Sequence, residues 1–125
     1  MRLAKSDPGN AGWQRNLSLS YDRVGDVQVA QGNLSAALIS YQASLAIRER
    51  LAKSDASNAG WQRNLSVSYK KVGDTYRKAG QSTKAREALA AGRAIIAQLV
   101  AQYPDWAQWK QDLAWFDQQI DALEK

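Results

Sequence analysis

The chain has 125 residues, enough for one domain with a sizeable core, and its 45% apolar and 23% charged residues are ordinary globular proportions. It contains neither cysteine nor histidine, which excludes disulfides, thiolate and imidazole metal sites, and every nucleophile system built on those residues. No apolar run approaches the roughly 20 residues of a membrane span, and the opening MRLAKSD lacks the apolar segment of a secretory signal.

A cytoplasmic protein without cofactor or membrane contact is therefore the plain expectation. The formal charge of +5 is unevenly placed. Residues 70–93 hold seven bases and two acids, whereas residues 94–125 hold two bases and five acids. Such asymmetry bears on encounter and solubility, and its simplest account is a set of solvated faces.

Taken in order, the chain is written twice and then begun again. LAKSDPGNAGWQRNLSLSYDRVGD starts at Leu3, and LAKSDASNAGWQRNLSVSYKKVGD starts at Leu51, 48 residues on. The copies stay in register beyond that stretch, with Gly32 facing Gly80, Ala37 facing Ala85 and Ile47 facing Ile95. A third copy opens at Leu99 and places Pro104, Trp109 and Leu113 one period after Ala56, Trp61 and Leu65. A fixed period of this size signals stacked units, none of which buries its own apolar face alone. The expected division is 1–7 as the end of a truncated repeat, 8–55 and 56–103 as full repeats, and 104–125 as a capping helix.

Pro8-Gly9-Asn10 should interrupt any helix, with Asn10 able to cap the next one. Trp13, Leu17, Tyr21 and Val24 then recur at helical spacing, and glycine at Gly32 should end that first helix in a left-handed cap. Leu34, Ala37, Leu38, Tyr41, Leu45, Leu51 and Ala52 mark a second helix. The third repeats the first as Trp61, Leu65, Tyr69, Val72 and Tyr76, closed at Gly80. The fourth carries Ala85, Ala88, Leu89, Gly92, Ile95, Ile96 and Leu99, and stops before Tyr103-Pro104. Asp105 and Gln108 read as a capping box for a fifth helix with Trp109, Leu113, Phe116, Ile120 and Leu123 on its stripe. The expectation is an all-α fold of about five helices, with turns too short for anything but antiparallel neighbours.

Val24-Gly25, Gly32-Asn33-Leu34, Ala37 and Tyr41 resemble the tetratricopeptide repeat, as do Val72-Gly73, Tyr76, Gly80, Ala85 and Leu89. Gly25, Ala37 and Ser44, with Gly73, Ala85 and Gly92, are small where paired helices must approach, and Tyr41 and Leu89 fill the gap between units. The family's unit has 34 residues, so a 48-residue period implies a long-helix variant of the kind found in bacterial proteins. The resemblance implies antiparallel helix pairs stacked as an α-solenoid, serving as a scaffold.

Few motifs suggest chemistry. Asn16-Leu17-Ser18, Asn33-Leu34-Ser35 and Asn64-Leu65-Ser66 fit a glycosylation acceptor, but two lie inside predicted helices. Gly80-Gln81-Ser82-Thr83-Lys84 lacks the second glycine of a phosphate loop and joins two helices. Asp22, Asp26 and Asp74 share a face, which surface solvation explains without acid–base work. Trp13, Trp61 and Trp109 read as inter-helix core. Trp115 points away from its helix's stripe, either as an anchor for a partner or as cover for the end of the array.

Opposite the stripe of the third helix lie Arg63, Lys70, Lys71, Asp74, Arg77 and Lys78, five bases to one acid. The resemblance to tetratricopeptide proteins makes these residues, together with Trp115 on the neighbouring helix, the lining of a concave peptide-binding groove. The family's carboxylate-clamp pattern is not matched, because Asp26 and Asp74 stand where Asn would be expected. No catalytic, cofactor-binding or metal-ligating residue is assigned, and an enzyme is not expected. The reading is a protein–protein interaction module whose partner is a protein or peptide, acidic in character, with its apolar residue seated against Trp115. The alternatives are self-association through an uncovered N-terminal helix, giving a homo-oligomer, and a weaker third, nucleic-acid binding by the basic second repeat.

Overall fold

The computed structural model describes residues 8–124 and folds them into five α-helices, with no strand among the described residues. They are α1 (Pro8–Ala30), α2 (Leu34–Ser54), α3 (Ala59–Lys78), α4 (Ser82–Gln102) and α5 (Ala107–Glu124). Each packs on the next in chain order. Across α1 and α2, Arg48 bonds Ser18 near one end and Tyr41 bonds Asp26 nearer the turn, so the pair is antiparallel. Across α3 and α4, Gly92 adjoins Tyr69 and Leu89 adjoins Gly73, giving the same sense. The repeat tail expected at 1–7 lies outside the described residues.

The turns between α1 and α2 and between α3 and α4 are copies of each other for a reason the sequence states. Gly32 and Gly80 both sit at φ +79°, a conformation that only glycine enters without steric cost. At the first turn, Asn33 N–H reaches the Gln28 carbonyl (2.8 Å) and Gly32 N–H the Val29 carbonyl (2.9 Å). At the second, Gln81 bonds Tyr76 (2.9 Å) and Gly80 bonds Arg77 (3.0 Å). This pattern satisfies carbonyls that a helix end otherwise leaves free. Asparagine caps α2 and α3: Asn33 Oδ1 accepts from Ala36 N–H and Asn58 Oδ1 from Trp61 N–H.

Two expected helix starts differ. Pro8, Gly9 and Asn10 form the first turn of α1 instead of a break before it, because proline at the first helical position gives up only an N–H that has no partner there. The Asp105–Gln108 capping box does not form, since α5 starts at Ala107 and Gln108 donates to Asp112 one turn on. In its place the Trp106 ring stacks on Trp109 at 4.8 Å and 15°.

The core has two parts. Leu89, Ile96, Leu99, Trp109 and Phe116 join α4 to α5, and Ala37, Tyr41, Val72 and Ala88 join α2, α3 and α4. Small residues let the helices close up: a Cβ on Gly73 would fall 2.7 Å from Leu89 carbons, and one on Gly25 would fall 2.5 Å from the Tyr41 ring.

The three equivalent tryptophans are not equally buried. Trp109 is 7% exposed and Trp61 half-buried, but Trp13 is 65% exposed, with Tyr21 and Val24 also open to solvent. The core role expected for Trp13 therefore does not hold. In α3 the matching stripe meets α2, while Gly73 meets α4. Among the described residues α1 packs chiefly on α2, which it meets through Ser18, Asp22 and Gly25, and it reaches α3 through the Asp26–Lys71 ion pair.

Candidate functional site

On one side of the layer, α1, α3 and α5 lie next to one another and are tied by charged side chains. Lys71 on α3 meets Asp26 on α1 at 3.0 Å, and Arg63 on α3 meets Asp112 on α5 at 3.4 Å. Lys70 Nζ sits 4.5 Å above the Trp115 ring, within cation–π range. Trp115 is half-buried, edge-on to Phe116 at 5.3 Å.

The structure thus brings most of the sequence-predicted residues together. A depression of about 300 Å³ between α3 and α5 is lined by Arg63, Val67, Lys70, Asp112 and Phe116 among others. A second, about 240 Å³, lies between α1 and α3 and is lined by Asp26, Val29, Lys71, Asp74 and Lys78 among others. The two share Lys70 and Lys71 and adjoin along α3 as a trough. Arg77 is turned to Asp74, which it meets at 2.6 Å, and Lys78 meets the other oxygen of Asp74 at 3.4 Å.

Much of the positive charge is therefore already answered. Of the five bases, Lys70 alone has no carboxylate within ion-pair distance among the described residues. These exposed pairs contribute little to stability, typically about 0–1 kcal/mol each, so their role is to hold side chains in place. Partial burial works against the charge of Asp26, but hydrogen bonds from Tyr41 and Lys71 outweigh it and hold this carboxyl below its ordinary pKa. Tyr41 is pushed above its ordinary value by burial and by the Asp26 charge.

Asp22 departs from the expected solvated carboxylate. It is buried and paired at 2.9 Å with Arg48, which is itself 5% exposed. Arg48 Nε donates to Ser18 Oγ (3.3 Å), and its Nη1 donates to the Asn64 carbonyl (3.2 Å) and Ser68 Oγ (3.0 Å). One guanidinium on α2 thereby joins α1 to α3. Burial lowers its pKa and Asp22 opposes that shift. Sequence reasoning missed Arg48, although a signal existed: one period on, Arg48 and Asp22 become Ile96 and Lys70, so both halves of the pair change together.

A third depression, about 610 Å³, joins the trough at Arg63 and is lined by Trp61, Tyr103, Trp106, Trp109 and Arg15 among others. Sequence reasoning missed Trp106 as well; its counterparts one and two periods before are Asn58 and Asn10. Among the described residues no three carboxylates converge as a metal site would require, and no helix is long and apolar enough to cross a membrane. Compared with models of protein families, with curated proteins and with solved structures, the chain matches none.

Proposed function

We propose that the chain is a non-catalytic helical-repeat module of the tetratricopeptide type that holds an extended, acidic protein segment along the face formed by α1, α3 and α5. The observation that supports this most is the trough of two adjoining depressions in which Arg63, Lys70, Lys71 and Lys78 outnumber the carboxylates Asp26, Asp74 and Asp112. Lys70 is held over Trp115 instead of being neutralised. Exposed charges of this kind mainly steer approach and choose between partners. Catalysis is disfavoured because Asp26 and Asp74 are already committed to bases.

A peptide array probed with the wild-type chain and with Lys70→Glu/Lys78→Glu tests the proposal. The wild type should select acidic peptides, with binding that weakens as salt shortens the Debye length to about 3 Å at 1 M. The double reversal should lose them while keeping its helical circular dichroism. Identical selections by both would reduce the basic face to a solvated surface.

A second reading, self-association through α1, is favoured by the open stripe of Trp13, Tyr21 and Val24. Clustered exposed apolar side chains mark interaction surfaces. Light scattering should show mass rising with concentration, and Trp13→Glu should return the chain to monomer. A wild-type monomer throughout would discard this reading and leave the trough untouched.

A further inference from the structure

The aromatic depression at the start of α3 and α5 has the properties of a binding subsite. Its wall is packed ring on ring: Trp106 lies flat on the buried Trp109, and Tyr103 meets the same ring edge-on at 5.5 Å and 79°. Yet Trp106 remains 56% exposed, and Tyr103 39%. An indole that is already immobilised loses little freedom when a ligand covers it, and large exposed aromatics are favoured binding anchors.

Local helix chemistry gives no reason for Trp106. Where it stands, the preceding unit has Asn58, whose side chain caps α3 by accepting from Trp61 N–H at 3.0 Å. A tryptophan side chain cannot accept such a bond, so α5 forgoes a cap and gains an open aromatic wall. Trp106 gains the stack on Trp109 in exchange, yet it stays 56% exposed, so most of the ring is left open to a ligand.

The Trp115 ring, the expected apolar anchor point, has Lys70 over it. The aromatic depression lies instead at one end of the trough and borders it at Arg63. Along the three joined depressions stand Arg15, Arg63, Lys70, Lys71 and Lys78, against Asp26, Asp74 and Asp112. The end next to Trp106 has the widest apolar lining, with Arg15 and Arg63 beside it, and further along α3 Lys70 is the base without a carboxylate partner among the described residues.

Resting on the trough reading above, we infer that the depression walled by Trp61, Tyr103 and Trp106 takes one aromatic or large aliphatic side chain at one end of the bound segment. The acidic residues of that segment then lie toward Lys70, Lys71 and Lys78. From Trp61 to Lys78 a helix rises about 25 Å at ~1.5 Å per residue. An extended strand covers that distance in about seven or eight residues at ~3.3 Å each. The ligand is therefore a short extended segment with an apolar anchor at one end and carboxylates up to about seven residues away.

The test uses a phage library of random twelve-residue peptides selected on the wild-type chain, then titration of one enriched, fluorescently labelled peptide. Enriched sequences should pair one aromatic or leucine with acids on one side of it. Trp106→Ala should weaken binding about tenfold or more, in the range of an interface anchor. Changing the anchor of the peptide to alanine should remove most of the difference between wild type and Trp106→Ala. Because the variant could alter α5, the wild-type chain is also labelled with 5-fluorotryptophan, and the peptide should shift the Trp106 resonance.

Acidic peptides without an apolar anchor, or peptides bound equally by Trp106→Ala, would overturn the anchor subsite and leave the trough reading standing. Peptides bound equally by Lys70→Glu/Lys78→Glu, or no enrichment at all, would overturn both. A Trp106 resonance that moves on simple dilution would give the depression to a second copy of the chain and overturn the inference.

Discussion

Arg48→Ala should destabilise the chain by about 3–5 kcal/mol, the cost of leaving a buried partner charge uncompensated. Asp22, 6% exposed in the native chain, would then have no cation against it, and Ser18, the Asn64 carbonyl and Ser68 would each lose a donor. The pair is not optimal even in the native state, since Asp22 Oδ1 is buried with no hydrogen-bond partner. Replacing both members, as Asp22→Leu with Arg48→Met, should therefore be neutral or stabilising by about 1–4 kcal/mol. Urea titrations of wild type, Arg48→Ala and the double replacement decide the matter. An Arg48→Ala chain within about 1 kcal/mol of wild type would mean that the guanidinium is far better solvated than its surroundings imply.

The equivalent tryptophans should give a graded series. Trp109→Ala removes an indole from the joint between α4 and α5 and should cost about 3–5 kcal/mol. Trp61→Ala, from a half-buried position, should cost less. Trp13→Ala, at 65% exposure, should stay within about 0.5 kcal/mol, as surface substitutions do. Midpoints in urea at constant slope measure all three. Equal losses at Trp13 and Trp109 would show that α1 is covered in solution, which a concentration series would attribute to self-association.

The helix count and the inner boundaries were legible because their causes are local. Gly32 and Gly80 force the same left-handed turn wherever they occur, and Pro104 prevents α4 from running on. Which residues face one another was less legible. Angular arithmetic places Asp22 opposite the stripe of its own helix, but it cannot see that α2 sends Arg48 between α1 and α3 to meet it. It likewise gives Trp13 the facing of Trp61 without supplying the neighbour that would cover it.

The basic residues around Lys70 all lie on α3, so helix geometry alone places them together. Their neutralisation by Asp26 and Asp112 depends on residues 45 and 49 positions away. Trp106 was not legible because it stands outside the repeating stripe, and periodicity picks out only the residues that recur.

The guanidinium between α1 and α3 also bears on how a chain with two nearly identical helices avoids kinetic traps. The groups that Arg48 contacts on α3, the Asn64 carbonyl and the Ser68 hydroxyl, have counterparts in Asn16 and Ser20 of α1, and Ser18 has one in Ser66. A collapsed intermediate in which α2 exchanged its two flanking helices would satisfy nearly all the same bonds. It could not satisfy the charge. Exchange would bring Lys70 to the position of Asp22 and set two cations side by side in a desolvated joint, a like-charge contact that the native order avoids. The ion pair is thus satisfied in the native order and lost in the exchanged one, the miswiring that internal duplication makes easiest.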